Sequence, residues 1–211
     1  MRIDHVCYAA GPEGLLATAR RLADALGVSA HEGGVHPRFG TRNMVLPLAN
    51  GRYIEVVEVL DHPASDKAPF GQATRAASER GGGWFAWVVS VDDLREIETR
   101  LGREAVTGNR HTPEGVELTW KQIGIKGLMA DPQLPFFLKW DSTENHPSLL
   151  DDSHAQLSGL RIAGDPHRVR EWLGLSIEGT FETGIEFEFM EDDEAALETV
   201  TFATASGPVT I

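Results

Sequence analysis

One pattern recurs three times along this chain: an apolar strand, a polar turn, an amphipathic helix and a Leu-Gly stop. It is carried by RIDHVCYAAGPEGLLATARRLADALG, then GWFAWVVSVDDLREIETRLG, then LSGLRIAGDPHRVREWLG. The leucines of the three stops stand at 26, 101 and 173. That recurrence, roughly 70 to 75 residues, is too long for a solenoid and suits a small module used more than once. Leu15, Ala19, Leu22 and Leu26 form an apolar stripe at helical spacing, with Gly27 placed for a left-handed stop. Asp93 with Glu96 reads as a capping box ahead of the stripe Leu94, Ile97 and Leu101. Asp165-Pro166 reads as an N-cap followed by proline in the first turn, ahead of Val169, Trp172 and Leu173.

Strand signals follow each helix. Asn50-Gly51 is the strongest short hairpin signal and joins a strand near Met44–Leu48 to one at Tyr53–Leu60. GVELTWKQIGI and PFFLKW follow the second helix; GIEFEFM, ETVTFAT and GPVTI follow the third. Each unit therefore reads strand–helix–strand–strand–strand. Residues 61–83, with a short helix expected near Gln72–Arg80, and residues 141–156 are rich in turn formers and read as linkers.

The balance of 32 acidic against 19 basic residues, a formal net charge of −13, argues against nucleic acid or an anionic membrane as partner, since both call for clustered Lys and Arg. An apolar fraction of 41% supports a packed core. Cys7 is the single cysteine, which excludes an intrachain disulfide and a cysteine-based zinc site. No segment approaches the ~18 apolar residues of a membrane helix. The N-terminal stretch is too short and mixed for a secretory segment, and a reducing cytoplasm is the expected location.

The strand YIEVVEVL, residues 53–60, poses the functional question. By alternation Tyr53, Glu55, Val57 and Val59 share one face, and Ile54, Val56, Glu58 and Leu60 the other. A carboxylate in such apolar company needs water or a partner. In the first strand His5 shares a face with Ile3, Cys7 and Ala9, opposite Val6 and Tyr8.

Four segments carry a resemblance to the glyoxalase-like branch of the vicinal oxygen chelate superfamily. IDHVCYAA resembles its first strand, and HPRFGTRN (36–43) its His-Pro…Gly-Thr-x-Asn segment. GRYIEVVEV resembles its Tyr-Leu-Glu-Leu strand, and LPFFLKW (134–140) with HPS (146–148) the close of its second module. The resemblance spans the first ~145 residues as two modules and the third unit only as a strand–helix pattern. It implies an α+β fold: paired βαβββ modules forming a half-open barrel, helices on the convex side, and a concave cup for a small-molecule ligand, often with a divalent metal. A glyoxalase-like domain is expected at 1–145 (modules 1–80 and 81–145), with a partial third module at 155–211. That last unit would cap a sheet edge or pair with a second chain, and a homodimer is expected.

With Val6, Ile54 and Val56 under the helix, His5, Tyr53 and Glu55 face the cup. An imidazole and a carboxylate converging from two strands make half of a divalent site; His36 is the candidate third ligand, and Zn, Mn, Fe, Ni or Mg the candidate ions. The resemblance puts the other half in the second module, where this sequence departs from it. Ala86 falls opposite His5, flanked by Phe85 and Trp87, and the closing strand offers Phe137 and Lys139 where a glutamate is expected. Two readings stay open. In one, His5, Glu55 and His36 hold an ion that polarises a carbonyl while a carboxylate moves a proton on the adjacent carbon, in the manner of a glyoxalase- or dioxygenase-like lyase or isomerase. In the other there is no metal: Glu55 acts as a lone acid/base or acceptor, Lys139 receives an anionic group, and the protein binds or sequesters its ligand. In both, Glu55 is the catalytic candidate, and Asn43, Tyr53, Trp84, Trp120, Phe137 and Lys139 are the candidate ligand contacts. Cys7 reads as a small buried residue, Arg42 as a turn residue, and His62, His111, His146, His154 and His167 as solvated.

Overall fold

Asn50 (φ 62°) and Gly51 (φ 68°) both adopt the left-handed backbone of a tight hairpin turn, and the strands they join are β3 (Thr41–Leu48) and β4 (Arg52–Val59). A computed structural model describes residues 1–175, 181–182, 184–192 and 194–211. The hairpin belongs to a first unit with β1 (Arg2–Ala9), α1 (Leu15–Leu26) and β2 (His31–His36). A segment of two helices, α2 (Pro63–Lys67) and α3 (Pro69–Glu79), leads to the second unit. That unit comprises β5 (Gly83–Ser90), α4 (Arg95–Leu101), β6 (Val106–His111), β7 (Glu117–Ile123) and β8 (Phe136–Trp140). The eight strands form one ring in the order β1-β4-β3-β2-β6-β7-β8-β5. Within each unit the first and last strands run parallel, β1 beside β4 and β5 beside β8.

The ring is shut at two seams of unequal strength. β1 and β5 pair antiparallel along their length, whereas β2 and β6 meet through Val35 and His111 alone. The half-open barrel expected from the resemblance is thus closed, on one side by a single bridge. Gly34 (φ +121°) makes that approach feasible: a Cβ there would stand 1.8 Å from the His111 carbonyl oxygen.

α1 lies where its stripe demands. Leu15, Ala19, Leu22 and Leu26 are buried against Met44, Leu46, Ile54 and Val56 on the outer face of β3 and β4. Fully burying a leucine such as Leu22 contributes about 1.5–3 kcal/mol. Gly27 ends the helix in the left-handed conformation. Its N-terminus has no side-chain cap of its own; Glu58 of β4 accepts from Leu15 N at 3.3 Å and pairs with Arg42. Arg42 is accordingly a strand residue rather than a turn residue. At α4 the expected capping box gives way to a shorter device, in which Asp93 accepts from Arg95 N. Asp165 does cap α5 (Pro166–Leu173), accepting from His167 N.

One irregularity in β1 positions the site. Ile3 pairs with Val89 and His5 with Val88, so Asp4 is an extra residue on β1. A bulge of this kind resets the alternation of faces. Ile3 and Val6 therefore both point to the outer core, while Cys7 and Ala9 belong to the inner one. Alternation had put Ile3 on the face of His5, and the bulge overturns that.

The third unit contains β9 (Gln156–Ala163), α5, β10 (Glu186–Met190), β11 (Ala196–Thr204) and β12 (Gly207–Thr210), in sheet order β10-β9-β11-β12. Residues 176–180, 183 and 193, which fall in the expected third module, lie outside the described residues. The element order repeats that of the barrel units, but the helix here links two adjacent parallel strands, β9 and β10. α4 spans only seven residues and buries Ile97, so the outer face of β5 and β8 is covered instead by this unit. Phe137 stacks on Trp172 at a centroid distance of 6.3 Å. Trp172 donates to Pro135 O, and Trp84 to Ile211 O. What the third unit covers is this chain's own barrel, which removes the argument that led to a homodimer. No helix among the described residues is long and apolar enough to cross a membrane.

Candidate functional site

The cup opens inside the ring. It encloses about 400 Å³ of non-atom space, its mouth included, and His5, His36, Tyr53, Glu55, Arg110 and Trp120 are among its lining residues. Glu55 is 6% exposed and sits between two imidazoles, one at each oxygen. His36 Nε2 is 3.4 Å from Oε1, and His5 Nε2 is 3.7 Å from Oε2. Asn43 donates to Oε1 at 2.7 Å, and the Cys7 thiol to Oε2 at 3.4 Å. Gly33 leaves the room Asn43 needs, since a Cβ there would lie 2.2 Å from its Oδ1. Burial alone would push the Glu55 carboxyl up, but His36, His5, Arg110 and the Asn43 hydrogen bond outweigh it and hold it below the ordinary value. The carboxyl is therefore ionised at neutral pH. Burial pushes the Cys7 thiol well up, with Glu55 adding to the effect, so Cys7 is a protonated donor rather than a nucleophile.

Each imidazole is oriented from behind. His5 Nδ1 lies 2.9 Å from Asp4 Oδ2 and donates to it, which turns Nε2 towards Glu55. Asp4 has no exposed surface. Its other oxygen meets His146 Nε2 at 3.3 Å, while Trp140 donates to Oδ2. His146 is fixed in turn, because its Nδ1 accepts from Ser148 N. Burial raises the Asp4 carboxyl, but the hydrogen bonds from His146 and His5 prevail, and it lies far below the usual carboxylate range. His36 Nδ1 is 3.0 Å from Thr41 Oγ1; burial pulls its pKa down to about 4 despite the attraction of Glu55. His36 is thus neutral at pH 7.

The structure brings His5, His36, Tyr53, Glu55 and Trp120 together at the cup, with Asn43 bonded to Glu55. It takes three other candidates elsewhere. Phe137 and Lys139 sit on the wrong side of β8, whose cup-facing residues are Phe136, Leu138 and Trp140. Phe137 belongs to the outer core and Lys139 is exposed. Trp84 packs outward against Tyr8 and Phe202. Ala86 pairs with Cys7, and Val88 is the residue opposite His5. His146, expected to be solvated, is 5% exposed. The two stretches read as linkers both serve the site: 141–156 supplies His146, and 61–83 supplies Phe70 of α3, which lines the cup. Asp4, Arg110 and Gln122 were missed. Asp4 is hidden by its bulge, and a lone arginine in VTGNRH carries no local signal of an inward direction.

The donor set can be tested against the divalent ion that the resemblance implies. Two ligands on one ion at ~2.1 Å lie roughly 3 to 3.5 Å apart, close to the separations of both imidazoles from Glu55. Two imidazoles and a carboxylate are suitable transition-metal donors, and an Asp4–His5 hydrogen bond is the usual support behind a histidine ligand. Among the described residues, ligand atoms of His5, Cys7 and Glu55 lie within 4.8 Å of one another. β5 and β8 contribute Val88, Phe136 and Leu138 to the inner side, none of which ligates. His36 approaches Glu55 at its other oxygen and stands outside that group, so the residues fit an ion held by His5 and Glu55 from one side of the cup.

A family model described as a glyoxalase-like domain matches residues 3–175. A hypothetical protein from Staphylococcus aureus is similar in structure over 100% of this chain and 94% of its own, with a TM-score of 0.70 at 15% identity. Methylmalonyl-CoA epimerase from Mycobacterium tuberculosis aligns over 66% of this chain and 86% of its own, with a TM-score of 0.43 at 15% identity. A methylmalonyl-CoA epimerase in complex with methylmalonyl-CoA and NH4+ aligns over 68% and 95%, with a TM-score of 0.45 at 16% identity. No curated protein matches the sequence.

Proposed function

Because the chain belongs to the glyoxalase-like domain family of the vicinal oxygen chelate superfamily, we propose that it binds a small oxygenated metabolite in the cup and moves a proton on the carbon next to a carbonyl. The observation that carries this reading is Glu55, a buried and ionised carboxylate held between two imidazoles. Glu55 takes the proton from carbon, and the electron pair of the C–H bond moves onto the carbonyl oxygen as the enolate forms. Return of the proton to the opposite face of the same carbon gives an epimer, and in an α-hydroxy carbonyl its return to the former carbonyl carbon of the enediol gives a rearranged isomer. His36 lies at Oε1 of the carboxylate and can pass that proton on. The apolar walls exclude water and hold the ligand body. A divalent ion, held by His5 and Glu55, would supply polarisation of the carbonyl oxygen.

The test is deuterium exchange. Purified protein, with its metal content determined, is incubated in D2O with pyruvate, lactate and hydroxyacetone, and loss of the proton signal next to the carbonyl is followed by NMR. Exchange is expected for at least one compound, with Glu55→Gln lowering it by about 100-fold or more. Bound compounds that never exchange would replace this reading with the second one, a sequestering protein. The apolar contribution of β5 and β8 to the cup favours that second reading.

A further inference from the structure

Among the described residues, the cup is lined by one arginine that the proton chemistry does not use. Arg110 of β6 lines the hollow and is 4% exposed. Its Nε is buried without a hydrogen-bond partner. Among the described residues no carboxylate pairs with it; the ion pairs of Glu55 run to His5 and His36. Other arginines of the barrel are matched, Arg42 by Glu58 and Arg52 by Glu182. Taking a guanidinium out of water without a partner is costly. Burial works against its charge, and the proximity of Tyr53 and Glu55 offsets this only in part. A fold retains such a group where something else supplies the anion.

We propose that Arg110 is the receptor for a ligand carboxylate, and that the cup takes a small monocarboxylic acid with an apolar body, oxygenated at the carbon beside the carboxylate. The guanidinium fork matches a carboxylate through two parallel hydrogen bonds. One fixed cation balances one negative charge. A phosphate dianion would meet the ionised Glu55 with only this single cation in attendance. Arg110 and Glu55 influence each other's charge without touching, and the space between them is the seat. An acid anchored by its carboxylate on Arg110 presents the neighbouring carbon and its oxygen towards Glu55 and the imidazoles. Phe70, Trp120 and Phe136 take the body. The oxygenated carbon rests on the proton-transfer reading; the carboxylate receptor does not.

Saturation-transfer NMR on the full chain tests this, with pyruvate, lactate and benzoate at millimolar concentration against hydroxyacetone and benzamide, and with inorganic phosphate added as a competitor whose affinity is read from displacement of the carboxylate signal. At least one carboxylate is expected to bind about 10-fold or more tighter than its uncharged counterpart and than phosphate. Arg110→Gln should abolish that preference while the thermal midpoint of the ligand-free protein stays level or rises, because an unpartnered buried charge has gone. Arg110→Lys keeps the charge and loses the fork, and should weaken carboxylate binding; it serves if the glutamine variant does not fold. No carboxylate binding, tighter phosphate binding, or affinities unchanged in both variants would overturn the proposal. Arg110-dependent binding with no deuterium exchange leaves the receptor standing and removes the proton-transfer reading. Exchange on hydroxyacetone with both variants silent does the reverse.

Discussion

His36 gives the site a measurable acid sensitivity. Its pKa falls from the ordinary 6.5 to about 4 because the ring is buried. The folded protein therefore binds this proton less readily than the unfolded chain. Between pH 4 and 6.5 the unfolded state holds more protons, so stability rises with pH across that window and is lost as pH falls through it. At 1.36 kcal/mol per unit the full effect is about 3 kcal/mol, most of it gone by pH 4.5. The carboxyls of Glu55 and Asp4 are shifted down instead. Their contribution is present above the ordinary carboxylate range and is lost only as pH falls below it, so the two effects separate. The assay is urea unfolding of chelator-treated protein at pH 7.0 and pH 4.5, wild type beside His36→Gln, whose amide can still reach Thr41. The wild type should lose about 2 kcal/mol more than the variant over that interval. Equal losses would mean that His36 titrates normally, and would refute the account of a neutral, desolvated imidazole.

Other outcomes follow from the same contacts. Asp4→Asn removes the charge and leaves one acceptor oxygen where His5 and His146 each had one, and should cost about 2 kcal/mol of stability in urea; it should also lower metal retention or deuterium exchange by roughly 10- to 100-fold. Lys139→Ala removes an exposed residue and should change stability by less than about 0.5 kcal/mol, with ligand binding by NMR unaltered. Trp172→Ala removes the ring on Phe137 and the bond to Pro135; it should cost about 3–5 kcal/mol by calorimetry, without displacing the cup residues in NMR spectra.

What the sequence determined by itself were the quantities that local chemistry controls. The α1 stripe, the Asn50-Gly51 turn and the Asp165 cap depend on residues within a turn or two of one another, and each is found where its pattern puts it. Strict alternation in β4 likewise put Tyr53 and Glu55 on one shared face, because that strand pairs without interruption. Tertiary structure decided whatever depended on a partner distant in the chain. A bulge at Asp4 shifts faces in β1 and builds a carboxylate behind His5. In β8 the alternation is regular, but which face is inner was settled by the third unit covering Phe137 from outside. Arg110 is inward only because β6 closes the ring against β2 and β7. A periodicity fixes the spacing of faces but not their assignment, since the free energy that chooses between them comes from surfaces the strand meets only after folding.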